Sequence, residues 1–162
     1  MKIIKLNPNQ IITLNDYPLY NQKMLHKYLK KCKLGEKLPF IPVLTKVIVR
    51  KHFSDEILKK FNKFEKQNQT AKYFMLDGSH RTTALTLAGC KINAIIYEKD
   101  KDIINAKKLI VKGKIIENGT LNHNLEENCE ILHKHFKEKP YFMTVEQKTK
   151  KMIKEKIITT DC

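Results

Sequence analysis

The chain has 162 residues, of which 41% are apolar, enough for one compact core and too few for two. Its 32 Lys+Arg against 17 Asp+Glu give a formal net charge of +15, a field that would gather polyanions. The longest apolar runs fall far short of a membrane span, and Met1-Lys2-Ile3-Ile4-Lys5 carries no signal-peptide hydrophobic region, so a cytoplasmic protein with no membrane partner is expected.

Met1 to Leu6 reads as a short strand broken by Asn7-Pro8-Asn9. A helix is expected from about Leu19 or Asn21 to Lys33, with Met24, Leu25, Tyr28, Leu29 and Cys32 on one face and Gly35 as its C-cap. Pro39-Phe40-Ile41-Pro42 leads into an apolar strand from Val43 to Val49. An insertion follows between Lys51 and Lys72. Ser54 caps a helix there from Asp55 to about Glu65, and the helical spacing of Ile57, Leu58, Phe61 and Phe64 marks them as core, not as base-stacking platforms. Gln67-Asn68-Gln69-Thr70 links back to the strand-like run Tyr73 to Leu76, and a further strand is expected from Ile92 to Tyr97. Glu98 to Asp102 is expected to be a solvated turn, and Ile103 to Ile116 fits either a helix or a hairpin around Gly113. Two helices end the chain. The first runs from about Leu125 to Lys137; the second starts at a capping box of Thr144 and Gln147, and its sparse apolar positions Val145, Met152 and Ile153 suggest a peripheral lid or arm. The expected organisation is an α+β core over 1–100, with a helical insertion near 52–70, and a mainly helical extension over 101–162.

Residues Leu76 to Ala84 carry the most chemistry. A strand ends there in a tight turn that opens a helix. Asp77-Gly78 breaks the strand, Gly78 lets the backbone approach a ligand, and the first N–H groups of a helix starting near Ser79 face the turn. His80 and Arg81 add donors and charge. Only Arg50 and Arg81 are arginines in this lysine-rich chain, and a planar fork beside a helix start suits phosphate better than lysine does. The predicted phosphate-binding residues are therefore Gly78, Ser79, His80, Arg81 and Thr82.

The Asp-Gly-x-His-Arg wording, its apolar helix, Ala88-Gly89 and the strand Ile92 to Tyr97 resemble the ParB/sulfiredoxin superfamily. The likeness covers roughly Ile41 to Tyr97 with one interruption, and Met1 to Gly35 fits the strand, loop and first helix of that fold. It implies an α+β fold of ParB/sulfiredoxin type, a small mixed sheet with packed helices. The turn is most similar to that of ParB-like free serine kinases, whose Asp-Gly-His-His-Arg binds nucleotide phosphates; Ser79 replaces the first histidine. This implies ATP or ADP as nucleotide, with CTP as another possibility from the superfamily, Mg²⁺ held in part by Asp77, and phosphoryl transfer to a small hydroxyl compound with Asp77 and His80 in the catalytic group. Those kinases use a glutamate before the first helix as base. Here Asp16 is the only acidic residue before Glu36, so Asp16 is the candidate base, the other role open to it being a loop cap around Pro18. Sulfiredoxin chemistry needs a cysteine where Ser79 stands. The Gly-Glu-Arg-Arg turn of partition proteins is missing, which leaves a nucleic-acid-binding or nuclease-like relative as the alternative.

Outside this stretch the signals are weaker. The charge excess is almost all lysine, the usage of an AT-rich genome, so a nucleic-acid partner is allowed but not required. Cys32, Cys90, Cys129 and Cys162 show no close pairing and read as reduced thiols, with Cys90 a buried residue at a helix end. Cys129, His133, His135 and His123 match no zinc spacing; a solvent-facing histidine pair beside a half-buried cysteine is expected. Lys148-Thr149-Lys150-Lys151 is read as a solvated helix face.

Overall fold

The computed structural model describes residues 2–19 and 21–158; Met1 of the expected first strand and Cys162 lie outside them. The chain opens with strand β1 (Lys2–Leu6), a 3₁₀ turn (Pro8–Gln10) and a two-residue strand β2 (Ile11–Ile12). Helix α1 (Gln22–Lys33) follows, capped by the Asn21 side chain on the Met24 N–H, with Gly35 at φ 76° just past its end. Strand β3 (Ile41–Thr45) and helix α2 (Lys46–Arg50) come next. The single strand expected from Val43 to Val49 therefore splits in two. Its partner strand is only three residues long, so the ladder ends at Thr45, and the backbone beyond it satisfies its own polar groups as a helical turn.

Helix α3 (Asp55–Gln67) starts at Ser54 as expected, then strand β4 (Tyr73–Met75), helix α4 (Ser79–Leu87) and strand β5 (Ile92–Ile96) complete the sheet region. The five strands lie in the order β1-β5-β3-β4-β2. β1 runs antiparallel to β5, β5 parallel to β3, β3 antiparallel to β4, and β4 parallel to β2. The fold is α+β.

The apolar positions alternate between the two faces of this sheet, and both faces are covered. One carries Ile41, Val43, Met75, Ile92 and Ala94. Leu85 of α4 packs on it and also joins the cluster of Leu25, Leu29, Ala84 and Met152. The other face carries Leu44, Phe74 and Ile95 under α3 and the C-terminal segments. Phe53, Phe61, Phe64, Phe74, Phe136 and Phe142 form one set of ring contacts there, with Phe136 stacked on Phe142 at 4.6 Å. The phenylalanines of α3 are thus core, as their spacing implied.

After β5 the chain forms α5 (Asp100–Lys107), a 3₁₀ turn (Gly119–Asn122), α6 (Leu125–Glu138) and α7 (Val145–Lys154). Asp102 is not in a solvated turn: it is buried, and its Oδ2 accepts the N–H groups of Glu98 and Lys99 at the helix start. The capping box of Thr144 and Gln147 forms in both directions. α7 is nevertheless no peripheral arm, because Val145, Lys148, Thr149 and Met152 are all buried against α1, α4 and the segment that follows β2.

Candidate functional site

Gly78 is the pivot between β4 and α4. Its φ of 109° is the left-handed region that glycine occupies without a Cβ penalty, and a Cβ there would stand 2.5 Å from Ile41 Cδ1. The helix then begins at Ser79, leaving the N–H groups of Ser79, His80 and Arg81 without intrahelical acceptors. Residues 77–81 line a cleft of about 340 Å³ together with Leu14, Asp16, Met24, Tyr28 and Ile116.

Two polar atoms on this wall are buried without a hydrogen-bond partner: Ser79 Oγ and His80 Nε2. Such atoms are uncommon, because each forfeits its hydration for nothing in return. Burial pushes the His80 imidazole below its ordinary range; Asp16 and Asp77 oppose that shift and Lys148 adds to it.

Arg81 occupies the cleft wall in a different way from that expected. It is 3% exposed; Nη1 donates to the carbonyls of Pro39 (3.2 Å) and Phe40 (3.0 Å), and Nη2 to Asp77 Oδ2 (2.8 Å). Its fork ties the loop before β3 to the turn and orients Asp77, so most of its donors are spent inside the protein. Burial pushes this guanidinium down, and Asp77 opposes that. Thr82 stands off the cleft altogether. Its N–H donates to Gly78 O (2.9 Å) and its hydroxyl to Gly78 O and Ser79 O, as the helix's fourth residue must once the turn closes.

Asp16, far from this turn in sequence, lines the same cleft. The contact that holds it was not expected. Lys148, 2% exposed, reaches out of α7 to donate to Asp16 Oδ1 and to Leu14 O (3.2 Å). Burial lowers the Lys148 ammonium from the ordinary lysine range while Asp16 raises it. Within the basic run, Lys148 and Thr149 therefore face inward and Lys150 and Lys151 outward. The only sequence signal was the capping box, which sets the phase of α7 and puts Lys148 on the side of Val145 and Met152. Tyr28 packs against the Leu25 and Leu29 cluster as expected, and with Ile116 and the exposed Met24, which was expected on that core face, it also forms the apolar lip of the cleft.

The remaining sequence candidates lie elsewhere. His133 and His135 do not face solvent as a pair: their Nε2 atoms accept the N–H groups of Ser54 (3.3 Å) and Asn15 (2.8 Å). Cys129 is fully buried, its thiol pushed up to about 11 by burial and then by Glu130 and Glu126. No cluster of three or more His, Cys, Asp or Glu side chains able to hold a metal occurs among the described residues. Cys90 is exposed, not buried at the helix end, and Cys32, Cys90 and Cys129 are free thiols. Arg50 is half-buried against Glu65, which it shares with Lys46 (3.1 and 3.0 Å). No helix among the described residues is long and apolar enough to cross a membrane. Neither a protein-family model, nor a curated protein, nor a solved structure matches the chain.

Proposed function

We propose that the cleft at the start of α4 binds the phosphates of a nucleotide, ATP or ADP with CTP as the third choice, and passes a phosphoryl group to a small hydroxyl compound. The observation that carries this reading is the pair of unpartnered buried atoms, Ser79 Oγ and His80 Nε2, beside the free first-turn N–H groups of a helix. A phosphate oxygen is the acceptor such a set of donors lacks. The likeness to ParB-like serine kinases, confined to the turn and its flanks, supports the transfer step; a fold alone would not.

In this scheme Ser79, protonated His80 and the backbone N–H groups hold the phosphates. Asp16 accepts the proton of the acceptor hydroxyl as its oxygen forms the new bond to phosphorus and the phosphoanhydride bond to the leaving nucleotide breaks. Mg²⁺ fits the residues present: it binds through one or two carboxylates plus substrate phosphates, and Asp77 keeps Oδ1 free of Arg81. It would supply charge neutralisation on the phosphates.

Calorimetric titration with ATP, ADP and CTP, with and without Mg²⁺, combined with ³¹P NMR of mixtures containing free serine and other small hydroxyl compounds, tests both halves. Ser79→Ala and His80→Ala are each expected to weaken nucleotide binding by about 1.5–3 kcal/mol, the range for a hydrogen bond to a charged group. If no nucleotide binds while DNA or RNA binds with a steep salt dependence, the nucleic-acid reading replaces this one.

A further inference from the structure

The loop that carries Asp16 is held almost entirely by the C-terminal third of the chain. Ile12 bridges Thr144. Thr13 N–H donates to Met143 O (2.9 Å), Asn15 Nδ2 donates to Lys139 O (2.7 Å) and Tyr141 O (3.0 Å), and Lys139 Nζ donates back to Asn15 O (2.9 Å). Lys148 takes Leu14 O and the Asp16 carboxylate. The last contact is chemically conditional: the Asn15 N–H donates to His135 Nε2 at 2.8 Å. A backbone N–H can be accepted only by a lone pair, so the ring there is neutral with its proton on Nδ1. Protonation would set N–H against N–H one residue from Asp16.

We propose that His135 and Lys148 are positioning residues for the Asp16 carboxylate, and that protonation of His135 releases the Asp16 loop and switches the cleft off on acidification. The part concerning activity rests on the phosphoryl-transfer reading; the part concerning the loop does not. Charged groups reach His135 from three sides: Lys139 and Glu138 at the end of α6, Lys148 from α7, and Asp16 from the loop itself. Burial, then Lys139 and Lys148, push the imidazole below its ordinary range, while Asp16 and Glu138 oppose them. The neutral, loop-holding form is therefore present above imidazole's ordinary value of about 6.5 and gives way only as pH falls below it.

The full chain, labelled with ¹⁵N, is titrated from pH 8 to pH 5 while the Asn15 amide and the His135 ring are followed by NMR. The Asn15 amide shift should move with the His135 midpoint, and its hydrogen exchange, corrected for the intrinsic pH dependence, should speed up about tenfold or more. Turnover should fall with the same midpoint while nucleotide binding does not weaken. His135→Gln retains an acceptor that does not titrate and should flatten both curves. Lys148→Met should lower kcat by about 10²-fold with little change in nucleotide affinity, and Lys148→Arg should restore part of it. An Asn15 amide that stays protected and unshifted through the titration of His135 would overturn the proposal, and so would an unchanged pH profile in His135→Gln. An Asn15 amide that titrates with His135, in a protein that transfers phosphate from no nucleotide, supports the loop mechanism and overturns the kinase reading instead.

Discussion

Two aspartates look into the cleft, and each has a buried cation behind it, but the two pairs are built in different ways. Arg81 and Asp77 sit four residues apart, so the pair closes as soon as the first turn of α4 forms. Lys148 and Asp16 are 132 residues apart, and their pair exists only after α7 has docked. The cations also differ in what they can do when deserted: an arginine stays charged, whereas a buried lysine can shed its proton. One side of the cleft is thus a local, rigid device and the other a long-range clasp whose protonation can change.

The sharpest way to break this contrast is Asp77→Ala, which strands the Arg81 charge with two carbonyls for company. The expected loss of stability in urea unfolding is about 3 kcal/mol, the low end for breaking a buried pair because Asp77 is itself partly exposed, and it should be the same from pH 6 to pH 9. A loss under about 1 kcal/mol would mean that the pair does not hold the turn. Gly78→Ala attacks the same rigid side through the backbone. It should cost about 2 kcal/mol, part from the positive φ and part from the clash with Ile41 Cδ1. Ile41→Val removes that carbon, so the double variant should be less destabilised than the sum of the singles; strict additivity would exclude the clash.

On the clasp side, Asp16→Ala should cost about 1 kcal/mol at pH 7, discounted because Asp16 is nearly half exposed. Here the deficit should shrink as pH rises. Removing Asp16 takes away the influence that raises the Lys148 ammonium, so folded Lys148 deprotonates at lower pH than in the unmodified protein. Unfolded chains then bind the extra proton, and stability climbs with pH up to the ordinary lysine range. Parallel stability curves for the two proteins from pH 7 to pH 9.5 would count against a buried, charged Lys148. The smallest effect concerns the cleft itself. An anion beside the depressed His80 raises its proton affinity, so nucleotide binding near pH 6.5 should take up a fraction of a proton, seen as buffer-dependent calorimetric enthalpies and lost in His80→Ala.

The elements whose sequence carries its own punctuation match the structure closely. Ser54 starts α3, Asn21 caps α1, and Thr144 with Gln147 opens α7, because capping is decided within four residues. The Asp77–Arg81 turn is legible for the same reason. The strand beyond Thr45 was misread because β-branched residues favour a sheet only where a partner strand exists, and β4 is too short to offer one. Asp102 and Lys148 were misread as solvated, since charge marks a surface residue only until a cap or a counter-ion takes it inside.

The sequence by itself determined the α+β alternation, the tight strand-to-helix turn at Asp77 to Arg81, and that Asp16 is the one carboxylate before the first helix ends. Only the tertiary structure decided that Arg81 turns inward, that Thr82 is out of reach, and that Asp16 is held over the cleft by Lys148 and, through Asn15, by His135. The first set depends on spacings of a few residues, where backbone geometry fixes which groups can meet. In the second, Arg81 turns on carbonyls about 40 residues away, Thr82 on the closing of its own helix turn, and Asp16 on contacts across more than 100 residues, set by how two helical segments pack, which no local pattern records.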